Sequence, residues 1–172
     1  MRYRNSFVFA LAVAGLVAQP AVLVWIVFFD QVFSGNAEDT AALIALFLFT
    51  SWLFVRVGVQ PVVDCEEDTI VVRNPVFSYR APLSRVRLHG RGGALGLWIE
   101  GVGVIHPWVL SRSVFDGARA RAARQELRER LAANRDEGAE GADPARRWVR
   151  WGVPELLLVF PVVFLIWSFV AL

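Results

Sequence analysis

The architecture of this chain follows from a run of 23 uncharged residues at positions 7–29, FVFALAVAGLVAQPAVLVWIVFF. An α-helix rises 1.5 Å per residue, so about 20 residues cross the roughly 30 Å hydrocarbon core of a bilayer. Two further runs reach that length, at residues 41–59 and 151–172, and each contains a single charged residue. None of the three runs has the polar face of an amphipathic helix. The pattern therefore predicts three membrane-spanning helices.

The composition agrees with this prediction. Of the 172 residues, 56% are hydrophobic, and the mean hydropathy of +0.47 is high for a soluble domain. All 18 basic residues are arginine; with 16 acidic residues they give a net charge of +2, too balanced for a nucleic-acid partner. A lone cysteine, Cys65, and two well-separated histidines, His89 and His106, favour neither an internal disulfide nor a metal site. We predict no cofactor.

The first run also has features of a secretory signal peptide. A basic start precedes it, and residues 12–14, Ala-Val-Ala, are typical of a cleavage site. Cleavage there would leave residues 15–29, still almost wholly apolar, at the new N-terminus. We therefore predict that the first span is retained and that residues 1–59 form an N-terminal transmembrane hairpin.

Arginine flanks these runs on one side only. Loops rich in arginine stay in the cytoplasm, whereas residues 30–40 contain three acidic side chains and no basic one. We therefore predict that the N-terminus and residues 60–150 are cytoplasmic and that the 30–40 loop and the C-terminus lie outside. The flanking arginines are Arg2, Arg4, Arg56, Arg146, Arg147 and Arg150.

Two charged residues lie inside the apolar runs. Intramembrane charges are often functional, which would suggest transport. The interpretation we favour is structural: Arg56, near the end of its run, snorkels to the headgroups, and Glu155, directly after Pro154, meets the positive end of its helix dipole. Small residues at four-residue spacing, which would allow close helix packing, are Ala10, Ala14 and Ala18 in the first run and Ala41 and Ala45 in the second.

Residues 60–133 have the pattern of a small α+β domain. Short β-branched or alternating segments are separated by turns. They predict strands at 61–65, 69–73, 77–83, 86–88, 95–100 and 102–106, with a glycine-rich turn at 90–93. A helix follows from Ser113, with Ala120, Ala123, Leu127 and Leu131 on one face. We predict a small antiparallel β-barrel or sandwich closed by this C-terminal helix, then a flexible linker at 134–150 and the third transmembrane helix at 151–172.

The segments 68–75, DTIVVRNP, and 79–86, YRAPLSRV, followed by the arginine-rich helix, resemble the bacterial pleckstrin-homology-like (PH-like) domains. In particular they resemble the actinobacterial membrane proteins grouped with low-molecular-weight protein antigen 6, which have two membrane helices before a PH-like domain. The resemblance covers residues 3–133 and implies a bacterial plasma-membrane location. The chain departs from it in having Pro82-Leu83 where the family has a Pro-Trp segment, and in adding a third apolar run.

Arginines near the middle of the domain are the candidate contact residues for a partner or an anionic surface: Arg80, Arg85, Arg87 and Arg91. On alternate strand positions, Arg85 and Arg87 would project from one face. A solvated strand face is the simpler explanation of such charges. Pleckstrin-homology domains that bind phosphoinositides carry basic residues at the first hairpin, whereas residues 65–68 here are acidic apart from Cys65. A specific phosphoinositide ligand is therefore not expected.

No catalytic motif accompanies these features, so we predict a non-enzymatic protein. The leading hypothesis is a membrane-tethered PH-like interaction module, a scaffold or regulator at the inner face of the plasma membrane, in contact with the lipid bilayer and a protein partner. The alternative is an accessory subunit of a membrane transporter or channel. A cluster of intramembrane polar residues would favour that alternative, and the candidates are Gln19, Thr50, Ser51 and Ser168.

Overall fold

The structure is a computed structural model that describes residues 1–29, 36–89, 95–110, 118–134 and 144–170. The chain divides into two compact units. The α+β unit comprises Met1–Phe7 and Gln60–Arg150, and the helical unit comprises Val8–Val59 and Trp151–Leu172.

Four α-helices lie within the described ranges: α1 (Ser6–Phe29), α2 (Ala37–Phe54), α3 (Ala118–Ala133) and α4 (Val159–Val170). A π-helical turn, Val55–Val59, extends α2, and a 3₁₀ turn, Val153–Leu158, leads into α4. Segments Ser6–Ile26, Ala37–Val59 and Val153–Val170 are each long and apolar enough to cross a membrane. These segments confirm the length and composition of the three predicted spans.

The described strands form two antiparallel sheets. The order is β1-β2-β3-β4-β8 in the first sheet and β5-β6-β7 in the second. The strands are β1 (Arg2–Tyr3), β2 (Val62–Glu66), β3 (Thr69–Arg73), β4 (Phe77–Pro82), β5 (Val86–His89), β6 (Gly96–Ile99), β7 (Gly103–Ile105) and β8 (Arg146–Val149). Strands β2 to β7 confirm the six strands expected from sequence. The 90–93 turn lies outside the described residues.

One hydrophobic core joins both sheets and α3. Ile70 on β3, Leu97 on β6 and Leu127 on α3 are each at most 1% exposed. The predicted helix stripe is confirmed by buried Ala123 and Leu127, and Leu131 is buried beside them; the side chain of Ala120 is not among those described. The α+β class and the helix packed on the strands are therefore as predicted.

Of the two predicted arrangements, a barrel or a sandwich, the barrel is wrong, because the two sheets do not close on each other within the described residues. Closure requires one continuous hydrogen-bonded ladder around the structure. Here Leu83–Arg85 forms a 3₁₀ turn between β4 and β5, and the strand order leaves these two strands in different sheets. The turn breaks the ladder where a barrel would need it continuous.

Two strands fall outside the boundaries expected for the domain. Strand β1 precedes the first apolar helix and pairs with β2, so that Arg2 lies opposite Asp64. Strand β8 lies in the segment 134–150 assigned from sequence to a flexible linker, and it pairs with β4. Both are short edge strands, and tertiary pairing rather than local propensity makes them extended.

Close helix packing in the helical unit uses other small residues than those expected. Ala10, Ala14 and Ala18 are exposed, whereas Ala12 is 3% exposed. A Cβ placed on Gly58 would clash with the Cβ of Ala12. On α2, Ala45 is buried as the spacing suggested.

Candidate functional site

Arg80 lies on the outer face of the five-stranded sheet. On β4 its neighbours Tyr79 and Ala81 turn into the core, so Arg80 turns away from it. Its partner across the ladder is Arg146 of β8. Both arginines line a cavity of about 150 Å³ whose remaining walls come from Thr69, Ala81, Pro82 and Pro144. Arg80 is thus paired with an arginine that sequence analysis had placed in a linker.

Arg85 and Arg87 do not join Arg80 in one patch. Arg87 is exposed on β5, in the three-stranded sheet. Arg85 ends the 3₁₀ turn before β5 and is only half exposed, and its carbonyl accepts a hydrogen bond from the amide of Glu100 at 3.1 Å. Arg91 lies outside the described residues. The 3₁₀ turn removes Arg85 from the strand alternation that would have aligned it with Arg87.

Arg87 belongs to a second, more apolar surface. Its ladder partner is Trp98 on β6, which in turn pairs with Val104 on β7, and all three side chains are exposed. Beside them, a cavity of about 250 Å³ is lined by Val86, Arg87, Leu88, Arg128, Leu131 and Ala132. The lining thus combines one arginine from each of β5 and α3 with four apolar residues.

The first hairpin of residues 62–73 is acidic, as predicted. β2 and β3 pair along their whole length, from Val62 opposite Arg73 to Glu66 opposite Thr69. Glu67 and Asp68 form the turn between them. Glu66, Glu67 and Asp68 are exposed and line an open cavity with Arg130. This carboxylate cluster repels phosphate groups, which supports the expectation that a phosphoinositide does not bind there.

Polar side chains meet inside the helical unit. The Gln19 side chain on α1 donates a hydrogen bond to Thr50 Oγ1 at 2.6 Å, and its Oε1 accepts one from Ser51 Oγ at 2.5 Å. The candidates Gln19, Thr50 and Ser51 therefore form one cluster between α1 and α2. Ser168 does not join it, since its hydroxyl donates to the Phe164 carbonyl of its own helix.

Arg56 and Glu155 form an ion pair in the same unit. Arg56 Nη2 lies 2.8 Å from Glu155 Oε1, and the two side chains are 7% and 15% exposed. Glu155 Oε2 also accepts the amide of Gly152 at 2.5 Å, and Pro154 occupies the first turn. The helix-start role predicted for Glu155 is confirmed. The snorkelling predicted for Arg56 is wrong, because its guanidinium is buried against a carboxylate.

Sequence reasoning considered each of these two charges separately and missed their pairing. The available signal was the presence of one charge of each sign at the same predicted membrane face, Arg56 at the end of one run and Glu155 at the start of another. Unpaired charges in a bilayer are costly, so opposite charges at one depth tend to pair.

Cys65 is the one thiol of the sequence and is buried on β2. Burial raises the pKa of the Cys65 thiol, because the thiolate would lose its hydration. Among the described residues no group of three or more histidine, cysteine or acidic side chains could hold a metal ion. No protein-family model, curated protein or solved structure matches the chain.

Proposed function

We propose that this protein is a multi-pass protein of the bacterial plasma membrane whose α+β unit is a cytoplasmic, PH-like interaction module without enzymatic activity. The observation that carries the proposal is the shortness of three covalent connections. β1 ends at Tyr3 and α1 begins at Ser6; the π-helical turn ends at Val59 and β2 begins at Val62; β8 ends at Val149 and a 3₁₀ turn begins at Val153.

These connections tether the module to the apolar helices at three points. Each one spans at most four peptide units, and an extended residue spans about 3.5 Å, so each attachment is limited to about 14 Å. A module held in this way gains little from being recruited to the membrane by a lipid headgroup. It gains more from the raised effective concentration of other membrane-bound proteins. A protein scaffold or regulator is therefore the function that the geometry supports best.

The positions of the arginines support a cytoplasmic module. Three arginines of the α+β unit lie within a few residues of an apolar helix in the chain: Arg2 on β1, and Arg146 and Arg147 on β8. In a cytoplasmic orientation they face anionic headgroups, each contributing about 1 kcal/mol near such a surface. In the opposite threading, all of these arginines would have to be translocated across the membrane.

Single-cysteine labelling tests the threading. In a Cys65→Ser background, Asn36→Cys should react with an impermeant maleimide in intact cells. Glu100→Cys, in the exposed turn after β6, should react only after lysis. Labelling of Glu100→Cys in intact cells would contradict the proposed orientation.

Photo-crosslinking in native membranes tests the module. A photoreactive phenylalanine in place of Trp98 samples the surface around Arg87, and the same residue in place of Glu129, exposed on α3, is the matched control. We expect a discrete protein adduct at Trp98 that weakens with Arg87→Glu and is absent at Glu129. Adducts with lipid alone at both positions would contradict a protein partner.

The cluster of Gln19, Thr50 and Ser51, together with the ion pair, favours one second candidate, an accessory subunit of a transporter or channel. These groups satisfy one another within the helical unit, which suits helix association as well as conduction. Pull-down of the full chain from native membranes should separate the two candidates: stoichiometric recovery of a multi-span protein, lost with Gln19→Leu and retained with Arg87→Glu, would favour the accessory role.

A further inference from the structure

We propose that Arg80 and Arg146, with the hydroxyl of Thr69, form a binding site for a phosphate group on the outer face of the five-stranded sheet. This inference goes beyond the proposed function, because the site would bind its anion whether or not the module has a protein partner.

Two like charges stand opposite each other in the β4–β8 ladder. Arg80 and Arg146 are direct partners in the β4–β8 ladder, so their Cβ atoms stand about 5 Å apart on the same face. Like charges directly opposite each other destabilise a strand pair. Within the described residues neither guanidinium has a hydrogen-bond or ion-pair partner. An anion between them would remove the repulsion.

The cavity that these arginines line has a size and a lining that suit an oxyanion. Its volume of about 150 Å³ compares with roughly 30 Å³ for one water molecule in the liquid, so it admits a tetrahedral oxyanion with some hydration. Guanidinium groups present planar forks that match phosphate oxygens in pairs. Thr69 adds a hydroxyl donor, and Pro82 and Pro144 form walls of restricted conformation. Two cations and a neutral donor suit a dianion better than a single carboxylate.

Neighbouring charged residues of the same sheet lie outside this cavity. Arg147, the next residue on β8, turns to the opposite face, where its guanidinium lies 4.1 Å from the centre of the Phe77 ring. The acidic side chains of the 66–68 turn line a second cavity, which shares Thr69 with this one and includes neither Arg80 nor Arg146. Arg73, exposed on the same face and opposite Ser78 in the β3–β4 ladder, does not line this cavity, so Arg80 and Arg146 are the arginines that the described residues bring to it.

Titration of the full chain with inorganic phosphate tests the site. In zwitterionic micelles, the side-chain Nε–H signals of Arg80 and Arg146, assigned from Arg→Lys variants, should shift and saturate. Arg80→Gln and Arg146→Gln should each weaken binding by about tenfold or more, which corresponds to about 1.4 kcal/mol. Arg80→Lys should also weaken it, since lysine keeps the charge and loses the fork. Arg121→Gln, an exposed arginine on α3, is the control and should leave binding unchanged.

Thermal unfolding adds a readout that a purely structural arginine pair would not give. In buffer without phosphate, Arg80→Gln should unfold at a temperature equal to or above that of the wild type, because repulsion is relieved. Added phosphate should raise the unfolding temperature of the wild type and leave that of Arg80→Gln unchanged.

Two sources could supply the phosphate group, and nanodiscs distinguish them. Shifts of Arg80 and Arg146 in phosphatidylcholine discs containing phosphatidic acid, without added phosphate, would identify a lipid phosphomonoester. Shifts that require added inorganic phosphate would identify a soluble ligand. Either result supports the site. Shifts that do not saturate would overturn the proposal. A shift of the Arg146 signal that persists unchanged in Arg80→Gln would also overturn it. Binding that appears only with Asp143→Asn, next to Pro144 in sequence, would also overturn it, since the chain's own carboxylate would then be the occupant.

Discussion

The two units of this protein differ in where they place their large apolar and their charged side chains. In the α+β unit, Ile70, Leu97 and Leu127 are at most 1% exposed, whereas arginines such as Arg80, Arg87 and Arg146 are exposed. In the helical unit, Leu165 and Phe169 are 56% and 80% exposed, while Arg56 is 6% exposed. The helical unit thus exposes apolar side chains of the kind that the α+β unit buries, as expected of helices long and apolar enough to cross a membrane.

The difference is clearest in one ion pair from each unit, both among the described residues. Arg56–Glu155 has an N–O distance of 2.8 Å and side chains 7% and 15% exposed. Arg130–Glu126, on α3, has a distance of 3.2 Å and side chains 38% and 48% exposed. Exposed pairs are weakened by water and salt, whereas a buried pair leaves an uncompensated charge when one partner is lost. Matched substitutions can therefore test what surrounds each unit.

The largest effect is expected from a charge placed in the core of the α+β unit. Leu127→Asp should lower the free energy of unfolding by more than about 4 kcal/mol, because it removes a packed side chain and buries an unpaired carboxylate. Hydrogen exchange of the β3 and β6 amides in the full chain measures this loss. Leu165→Asp, on an exposed position of α4, is the matched substitution and should leave that exchange unchanged. Unaltered protection in Leu127→Asp would refute the shared core.

Leu165→Asp becomes damaging only if lipid surrounds α4. A carboxylate near the middle of a spanning helix raises its insertion free energy by about 3 kcal/mol. A translocon insertion assay on residues 151–172 measures this directly, with Leu165→Phe as the control. An insertion efficiency that does not fall with aspartate would mean that α4 is exposed to water, and the contrast between the units would disappear.

Breaking the buried ion pair should have the next largest effect. Glu155→Ala should destabilise the helical unit by about 3–5 kcal/mol, since Arg56 would lose its carboxylate partner. Arg130→Ala, which breaks the exposed pair, should cost only about 0.3–0.5 kcal/mol. Denaturant unfolding of the full chain in mixed micelles measures both.

The control for the ion pair is its joint replacement by apolar residues of similar volume. Arg56→Met combined with Glu155→Leu should recover most of the stability lost in Glu155→Ala, because no buried charge remains unpaired. A double variant as unstable as the single one would mean that the pair contributes more than mutual neutralisation.

A smaller effect is expected at the polar cluster. Gln19→Leu removes two hydrogen bonds between α1 and α2 and should cost about 1 kcal/mol. Ser168→Ala removes one bond within a single helix and should change stability less. The same mixed-micelle unfolding compares the two variants. Equal losses would show that the Gln19 bonds do not hold α1 to α2.

The smallest effect concerns Cys65. Because burial raises its pKa, alkylation of the folded chain should be slow at pH 8 and should continue to accelerate above the pH at which a free thiol is fully ionised. The unfolded chain ionises first, so this thiol contributes stability below the unfolded pKa that is lost as pH rises through the folded pKa. Alkylation rates from pH 7 to 11, with and without denaturant, measure the shift. Equal rates in both states would contradict the burial of Cys65.

Sequence alone was sufficient for the elements whose signal is local. Three apolar runs of about 20 residues predicted the three apolar helices, because the length needed to cross a bilayer can be counted directly. Alternation and turn residues predicted β2 to β7, and the Ala123–Leu127 stripe predicted the buried face of α3. The acidic hairpin at 66–68 followed from the same patterns.

Tertiary structure decided which distant residues meet. β8 is a strand only because β4 offers it a free edge, and this places Arg146 beside Arg80. A short 3₁₀ turn at Leu83–Arg85 separates the sheets that alternation alone would have joined in a barrel. Arg56 and Glu155 come together from separate helices. Periodicity and propensity indicate which side chains of a segment are buried and which are exposed. Ladder partners and ion pairs depend instead on where segments far apart in the chain are brought together.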